Sequence, residues 1–247
     1  MANILTNTTL TRKNRLADLK ARERGYFDLE FLKEMPPERR NACFENLDAS
    51  KSQLRQDLFG LVQAGFERDG FFLEFGATDG VELNNTWLME KQFGWSGILA
   101  EPARGWQNDL RRNRSCTIDN RCVWKRTGDT LEFSEAPRGE NSGISTFMKP
   151  SRKRRSTTYE VHTVALNDLL RDYDAPEFID FASIDTEGSE FEILNAFDFD
   201  RWRFGALCIE HNFAPQRDDL YRLLTAHGYE RVHEHVSRFD DWYVARD

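Results

Sequence analysis

Long apolar runs are missing from this 247-residue chain. No uncharged stretch approaches the ~18–20 residues that a membrane-spanning helix needs, and the N-terminus lacks the apolar core of a signal peptide. A soluble, cytoplasmic protein without a membrane span is the expectation. Basic charge is also short: 34 Lys and Arg stand against 42 Asp and Glu, a formal net charge of −8. A nucleic-acid-binding surface needs a basic face, so no nucleic-acid partner is expected, and a neutral small molecule or a glycan fits better. The four cysteines, Cys43, Cys116, Cys122 and Cys208, form no C-x-x-C pair. Two of them lie in apolar strand patterns where a free thiol simply packs, which agrees with a reduced compartment. No internal repeat is present, and the length suits one sizeable α/β domain with an added segment rather than two full domains.

What is present is organised around Phe71-Phe72-Leu73-Glu74-Phe75-Gly76-Ala77-Thr78-Asp79-Gly80. Strand formers interrupted only by Glu74 run into a glycine-flanked turn, and a helical pattern follows through Lys91. The stretch predicts strand, tight turn, helix. In an open α/β sheet the first crossover puts the turn and any ligand at the carboxyl edge of the strand. A bound pyrophosphate calls for the three glycines of G-x-G-x-x-G. Here Gly76 and Gly80 stand without a third, and the carboxylates of Glu74 and Asp79 would repel a phosphate. They would welcome a ligand with an ammonium group and no phosphate, such as S-adenosylmethionine. The next strand, Ser96 to Ala100, ends at Glu101-Pro102, at roughly the 20-residue distance where a carboxylate takes ribose hydroxyls.

Residues 1–50 are rich in charge, with helical stretches at 11–23 and 26–34 closed by Pro36-Pro37; they read as a helical extension. Helical spacing of Leu54, Leu58, Phe59, Leu61 and Val62 predicts a core helix over 52–64, whose Gln53, Gln56 and Asp57 either line the cleft or face solvent. Further on, Ser115 to Asp119 reads as a third strand, leaving Asn120, Arg121 and Cys122 at the edge where an adenine ring would lie. Residues 129–133 form a short strand, and 137–155 a polar loop ending in Arg152, Lys153, Arg154 and Arg155. That basic run is either a solvated tip or an electrostatic clamp on a phosphorylated or otherwise anionic acceptor. Strands follow at 161–164, 178–185 and 206–209, helices at 166–170, 191–197 and 215–226, and a closing antiparallel pair at 229–232 and 242–244.

Four apolar strands reach Glu74, Glu101, Asp185 and Glu210 at or near their ends. A carboxylate there is costly to desolvate unless it meets a cation, a metal or several donors, so four at equivalent places suggest one cleft. If the ligand is a methyl donor, an acceptor hydroxyl must be aligned and must lose its proton. Three takers are open. His211, in Glu210-His211-Asn212, has an ordinary pKa near ~6.5. Asp185 or Glu187 would serve if desolvation raised their pKa. A hard divalent cation such as Mg2+ or Mn2+, held by Asp185, Glu187, Glu210 and His211, would acidify the hydroxyl directly.

In this order the residues resemble the FkbM-type S-adenosylmethionine-dependent methyltransferases, from about Ser52 onward. The matching pieces are residues 52–57, 72–80, Asn85-Thr86, Glu90-Lys91, Gly94-Trp95-Ser96-Gly97, Glu101-Pro102, Ser142-Gly143-Ile144, 183–194, Glu210-His211-Asn212 and Asp241-Trp242-Tyr243-Val244. The resemblance implies a Rossmann-like class I methyltransferase fold: α/β, a mostly parallel seven-stranded sheet with helices on both faces, spanning 51–247, plus the N-terminal extension over 1–50. It implies O-methylation of a sugar, polyketide or glycoside hydroxyl. It implies that Glu74, Gly76, Asp79 and Glu101 hold the cofactor, with Ala77, Gly80, Thr86, Pro102, Asn120 and Asp185 completing the expected set. Asp185, Glu187, Glu210 and His211 then form the acceptor side. Where the family pattern Ser-Gln-x-Gly-Gln-Asp has glycine, this chain has Arg55. The competing readings are a nicotinamide-dependent oxidoreductase, disfavoured by the missing glycine, a metal-dependent hydrolase using Asp185, Glu187 and His211, and a non-catalytic nucleotide-binding or scaffold protein. A homo-oligomer is compatible with all of them.

Overall fold

In a computed structural model of the chain, residues 2–137, 139 and 141–246 are described, with side chains from residue 14 onward. The chain divides into two units, the first ending at Leu47 and the second beginning at Asp48, three residues before the expected boundary. The first unit holds α1 (Ala2–Glu34), a turn of 3-10 helix at Pro37–Arg39 and α2 (Arg40–Asn46). One continuous helix replaces the two expected, because a lone interior glycine such as Gly25 costs only about 1 kcal/mol. The break comes where Pro36 and Pro37 remove donors and restrict the preceding backbone.

The second unit opens with α3 (Gln56–Gln63). It starts four residues later than predicted because Arg55, its N-cap, has φ 65°, a left-handed backbone that no helix continues. Glycine takes this conformation without strain, which accounts for glycine at this place in the resembled pattern. The chain then runs β1 (Phe71–Phe75), α4 (Trp87–Phe93), β2 (Ser96–Ala100), α5 (Gln107–Asn113), β3 (Thr117–Asp119), β4 (Cys122–Trp124), β5 (Thr130–Glu135), β6 (Gly143–Ile144), α6 (Pro150–Lys153), β7 (Thr157–Ala165), α7 (Leu166–Asp172) and β8 (Phe178–Ile184). It ends with α8 (Glu190–Asn195), β9 (Arg203–Glu210), α9 (Arg217–Ala226), β10 (Tyr229–Val232), α10 (Glu234–Ser237) and β11 (Asp240–Ala245).

Seven strands make one sheet in the order β10-β11-β9-β8-β1-β2-β3. All its pairs are parallel except those of β11, which runs against both β9 and β10. This is the α/β architecture of a Rossmann-like class I methyltransferase. Because strand side chains alternate, Leu73 and Phe75 enter the core shared with Leu166, Leu170, Ile193, Leu194, Leu220 and Leu224 of α7, α8 and α9. Opposite faces of the strands meet α3, where Phe59 stacks on Trp242 at 4.7 Å between ring centroids. Glu74 sits between Leu73 and Phe75 in sequence and so points to the α3 and α4 side.

Register fixes the rim. Phe75 of β1 is level with Ala100 of β2 and Ile184 of β8, and Ile184 is level with Ile209 of β9. The residues that follow, Gly76, Glu101, Asp185 and Glu210, therefore leave the sheet as one row.

Two features depart from expectation. The turn after β1 does not pass directly into a helix: residues 76–86 form a loop. Thr78 (φ 50°) and Leu83 (φ 57°) are left-handed, and Asp79 Oδ1 accepts from the N–H groups of Val81 (2.8 Å) and Glu82 (2.9 Å), a local turn that competes with helix. The second is a small four-stranded sheet, β4-β7-β5-β6, which joins the strands expected at 129–133 and 161–164 to residues of the polar loop between them and to the stretch that follows β3; Trp124, Phe133, Ile144 and Val161 form its own apolar cluster. Among the described residues no helix is long and apolar enough to cross a membrane.

Candidate active site

The sheet's connections change direction between β1 and β8, the place where open α/β sheets bind ligands. A cavity of about 330 Å³ lies there, within the usual size of small-molecule sites. Gly76 makes it possible. Its φ is 81°, its N–H donates to the Ala100 carbonyl at 3.1 Å, and a Cβ would lie 2.3 Å from the Asp185 carbonyl oxygen. Any side chain there would force β1 and β8 apart at the rim.

Of the residues expected to hold a cofactor, Gly76, Glu101, Pro102 and Asp185 line the cavity. Glu101 is buried; its Oε1 accepts from Ala103 N–H (2.8 Å) and its Oε2 from Thr78 N–H (2.9 Å). Burial nevertheless pushes its pKa up to about 7. Beside it Ala100, Pro102, Cys122, Val123, Phe133 and Ile144 line an apolar slot suited to a flat ring. The remaining members of the expected set lie off the cavity. Glu74 is buried and turned away, accepting from Asn85 N–H (2.7 Å) and the Thr86 hydroxyl (2.5 Å), with Arg114 at 4.0 Å. Thr86 is spent on that carboxylate, and Ala77, Asp79 and Gly80 belong to the loop that Asp79 stabilises. Asn120 accepts from Arg111 at 2.5 Å, and beyond β3 it is Cys122 and Val123 that line the slot instead. Glu74 and its neighbours thus shape the loop rather than line the space.

The other half of the cavity is acidic. Asp185, Glu187 and Glu210 each offer an oxygen, and the three oxygens lie within 4.8 Å of one another. Asp185 is exposed where it lines the cavity, and the protein packed around its carboxyl raises its pKa well above the ordinary value. Burial, the facing Asp185 charge and a hydrogen bond to it push Glu210 up to about 11. Glu187 (φ 59°) is met by Arg152 Nη1 at 2.8 Å, and burial still raises its pKa. The loop carrying it is tied by buried Glu190, which accepts from Thr186 N–H (2.9 Å), Thr186 Oγ1 (3.0 Å) and Gly188 N–H (3.0 Å).

His211 does not line the cavity. Its Nδ1 accepts from Phe213 N–H at 2.9 Å, which leaves the proton on Nε2, and Nε2 lies 3.7 Å from Asp241 Oδ1. Burial lowers its pKa. It therefore stands outside the group of three carboxylates that could hold a divalent ion.

Sequence reasoning missed Asp240. It lines the cavity level with Glu210, accepts from Gln56 Nε2 at 2.8 Å, and is pushed up to about 7 by burial. Because β11 is antiparallel, its first residue rather than its last reaches the rim, and a search of strand ends passes over it. Asn85 and Ser142 also line the cavity; both lie in pieces that carried the family resemblance. Gln53 and Gln56 line it as well, whereas Asp57 is fully buried and accepts from Ser50 (2.7 Å), Lys51 N–H (3.2 Å) and Leu58 N–H (2.8 Å).

Among solved structures, the fold is similar to a precorrin-6y C5,15-methyltransferase from Geobacter metallireducens (11% identity, 71% of each chain covered, TM-score 0.42). It is also similar to a ribosomal protein L11 methylase from Lactobacillus delbrueckii subsp. bulgaricus (9% identity, 78% of this chain and 77% of that one, TM-score 0.43) and to a methyltransferase from Pyrococcus furiosus (14% identity, 78% and 82%, TM-score 0.37). No curated protein matches. The model of the methyltransferase FkbM domain matches residues 74–231, more than half of the chain and the whole arc from the first rim carboxylate past the last parallel strand; the chain belongs to the FkbM methyltransferase family.

Proposed function

We propose that this methyltransferase uses S-adenosylmethionine to methylate a hydroxyl of a sugar, a glycan or a glycosylated small molecule. The donor, when bound, supplies a methyl group carried on a cationic sulfonium. Glu101, with both oxygens fixed by backbone N–H groups, is the residue to receive ribose hydroxyls, and the slot from Ala100 to Ile144 the place for the adenine ring. The observation that carries the reading is the contrast within one cavity between that apolar slot and an end lined by Gln53, Gln56, Asn85, Asn212, Asp185, Glu210 and Asp240. Side-chain amides and carboxylates offer donors and acceptors at a spacing that vicinal hydroxyls can match.

Asp185 is the residue to take the hydroxyl proton. Its carboxylate lines the cavity, the Glu210 hydrogen bond orients it, and burial keeps its pKa high enough for general-base work. Among the described residues lining the cavity none is basic, and Arg152 and Lys153 are paired with Glu187 (2.8 Å) and Glu132 (2.7 Å). This favours an acceptor without negative charge near its reacting hydroxyl. Incubation with labelled S-adenosylmethionine and an extract of glycans and nucleotide sugars should label a hydroxyl of a carbohydrate. Label on nitrogen, or on no carbohydrate at all, would overturn the reading.

The packing of three carboxylate oxygens within 4.8 Å favours one second reading, in which Asp185, Glu187 and Glu210 hold Mg2+ or Mn2+ and Glu187 exchanges Arg152 for the ion. Chelator treatment separates the two: turnover survives it if Asp185 acts as the base alone, and is lost if an ion is required.

A further inference from the structure

Arg114 is the C-cap of α5 and carries a fully buried side chain, far in sequence from the loop it touches. Its Nε donates to Glu90 Oε2 at 2.5 Å, its Nη1 to Asn84 Oδ1 at 2.7 Å and to the Gly80 carbonyl at 3.4 Å, and its Nη2 to the Thr86 hydroxyl at 3.0 Å. Glu74 stands 4.0 Å away and takes the Thr86 hydrogen. All three of its nitrogens are thus used, and four of the groups they meet or face (Gly80, Asn84, Thr86 and, through Thr86, Glu74) set the course of one loop. The contact is close: a Cβ on Gly80 would lie 2.6 Å from Arg114 Cγ. Glycine there leaves room for the guanidinium to enter.

The same loop reaches the cavity from its other side. Thr78, whose N–H meets Glu101, together with Leu83 and Asn85, lines the cavity. Asn84 joins the two sides, since its Nδ2 donates to the Ala77 carbonyl at 3.3 Å while its Oδ1 accepts from Arg114 and from Thr86 N–H at 3.1 Å. We infer that Arg114 is the positioning residue of the donor-binding loop, a buried cation that holds residues 77–86 in the shape that presents Thr78, and the Glu101 carboxylate it meets, to the donor. Without Arg114, Glu74 would keep only the uncharged donors of Asn85 and Thr86, and Gly80 and Asn84 would lose the contact that ties a loop with left-handed residues at Thr78 and Leu83 to the end of α5. A planar guanidinium does this and an ammonium does not, because one point donor cannot reach Glu90, Asn84 and Thr86 together. Loss of preorganisation falls on binding.

The inference rests on S-adenosylmethionine being the donor, and the test keeps the two apart. Calorimetric titration of the full chain with S-adenosylhomocysteine should show binding; if it does not, the donor assignment fails rather than the role of Arg114. In Arg114→Lys, the dissociation constant should rise ~10-fold or more, a difference that corresponds to about 1.4 kcal/mol, while kcat at saturating donor stays within about twofold. Asn84→Ala leaves the Arg114 contacts to Glu90 and Thr86 in place and should give a smaller rise in the same constant, so the inference stays testable if Arg114→Lys fails to fold. A purely structural arginine would lower the melting temperature and leave the affinity of the folded molecules unchanged. Unchanged affinity in folded Arg114→Lys, or in Asn84→Ala, overturns the inference.

Discussion

The two halves of the rim treat their carboxylates in opposite ways. At the β1–β2 half, Glu74 and Glu101 are supplied with donors from the protein itself: Asn85, Thr86 and Arg114 for one, Thr78 and Ala103 for the other. At the β8–β9 half, Asp185 and Glu210 have chiefly each other, and Glu187 has one arginine on a half-exposed arm. A satisfied buried carboxylate stabilises the fold and resists change; an unsatisfied one holds a proton or waits for a partner. In the first half Glu74 is therefore built into the scaffold and Glu101 is held at the cavity by backbone donors, whereas the second half leaves its carboxylates largely to one another, although the sequence presents the same motif, an acid at or near the end of an apolar strand, in both.

Substitution should separate them. Glu74→Ala leaves the Asn85 N–H and the Thr86 hydroxyl without their acceptor while Arg114 keeps Glu90, and is expected to cost on the order of 1–3 kcal/mol in denaturant unfolding; no measurable loss would erase the distinction. Asp185→Asn should leave stability unchanged or raised and lower the transfer rate by roughly 10²–10³-fold, the usual contribution of a general base, with S-adenosylhomocysteine affinity kept within a few-fold. Equal losses of affinity and rate would place Asp185 on the donor side alone.

pH tests the boundary between the halves. Glu101 is raised from 4.5 to about 7 in the folded, ligand-free protein, so its contribution to stability is complete below its unfolded pKa and is lost as pH rises through about 7. Asp240, raised from 3.8 to about 7, acts in the same direction. Ligand-free stability should therefore fall between about pH 5 and pH 8, by up to roughly 3 kcal/mol for each group. Donor affinity should run the other way if ribose hydroxyls bind the ionised Glu101, weakening by up to ~10-fold per pH unit below about 7. Glu101→Gln should flatten that dependence. An affinity that is independent of pH in the parent protein would remove Glu101 from the donor site.

Most of the sheet was legible because its strands are buried on both faces and read as apolar runs. Ser96–Ala100 was placed to the residue, and the row of acids followed from where such runs end. What hid were features set by geometry rather than composition. Period-2 alternation sends Glu74 to the opposite face from Phe75, so an acid one residue short of the strand end serves the fold instead of the ligand. The reversal of β11 brings Asp240 to the rim from a strand's beginning. The small sheet shows in the sequence as strands at 129–133 and 161–164 with a polar loop between them, because β6 is two residues long, too short for any pattern, and its pairing with β5 across the intervening loop is fixed by tertiary contacts.

The smallest expected effect concerns His211, the residue whose chemistry most invited a catalytic reading. A general base needs a free lone pair facing its substrate. Here Nδ1 has its lone pair occupied by Phe213 N–H, and Nε2 carries a hydrogen and lies toward Asp241, itself held by Arg217 at 2.7 Å and Arg231 at 3.2 Å. The ring instead fixes the turn through Asn212 and Phe213, both left-handed at φ 45° and 57°, and Asn212 is the neighbour that reaches the cavity. His211→Asn can replace the Nδ1 acceptor with its own Oδ1. It should leave kcat within about threefold of the parent and the acidic limb of the pH–rate profile in place, because that limb belongs to the carboxylates. Disappearance of the limb, or a loss comparable to that of Asp185→Asn, would return the proton to the imidazole and make the β9 terminus, rather than that of β8, the catalytic edge.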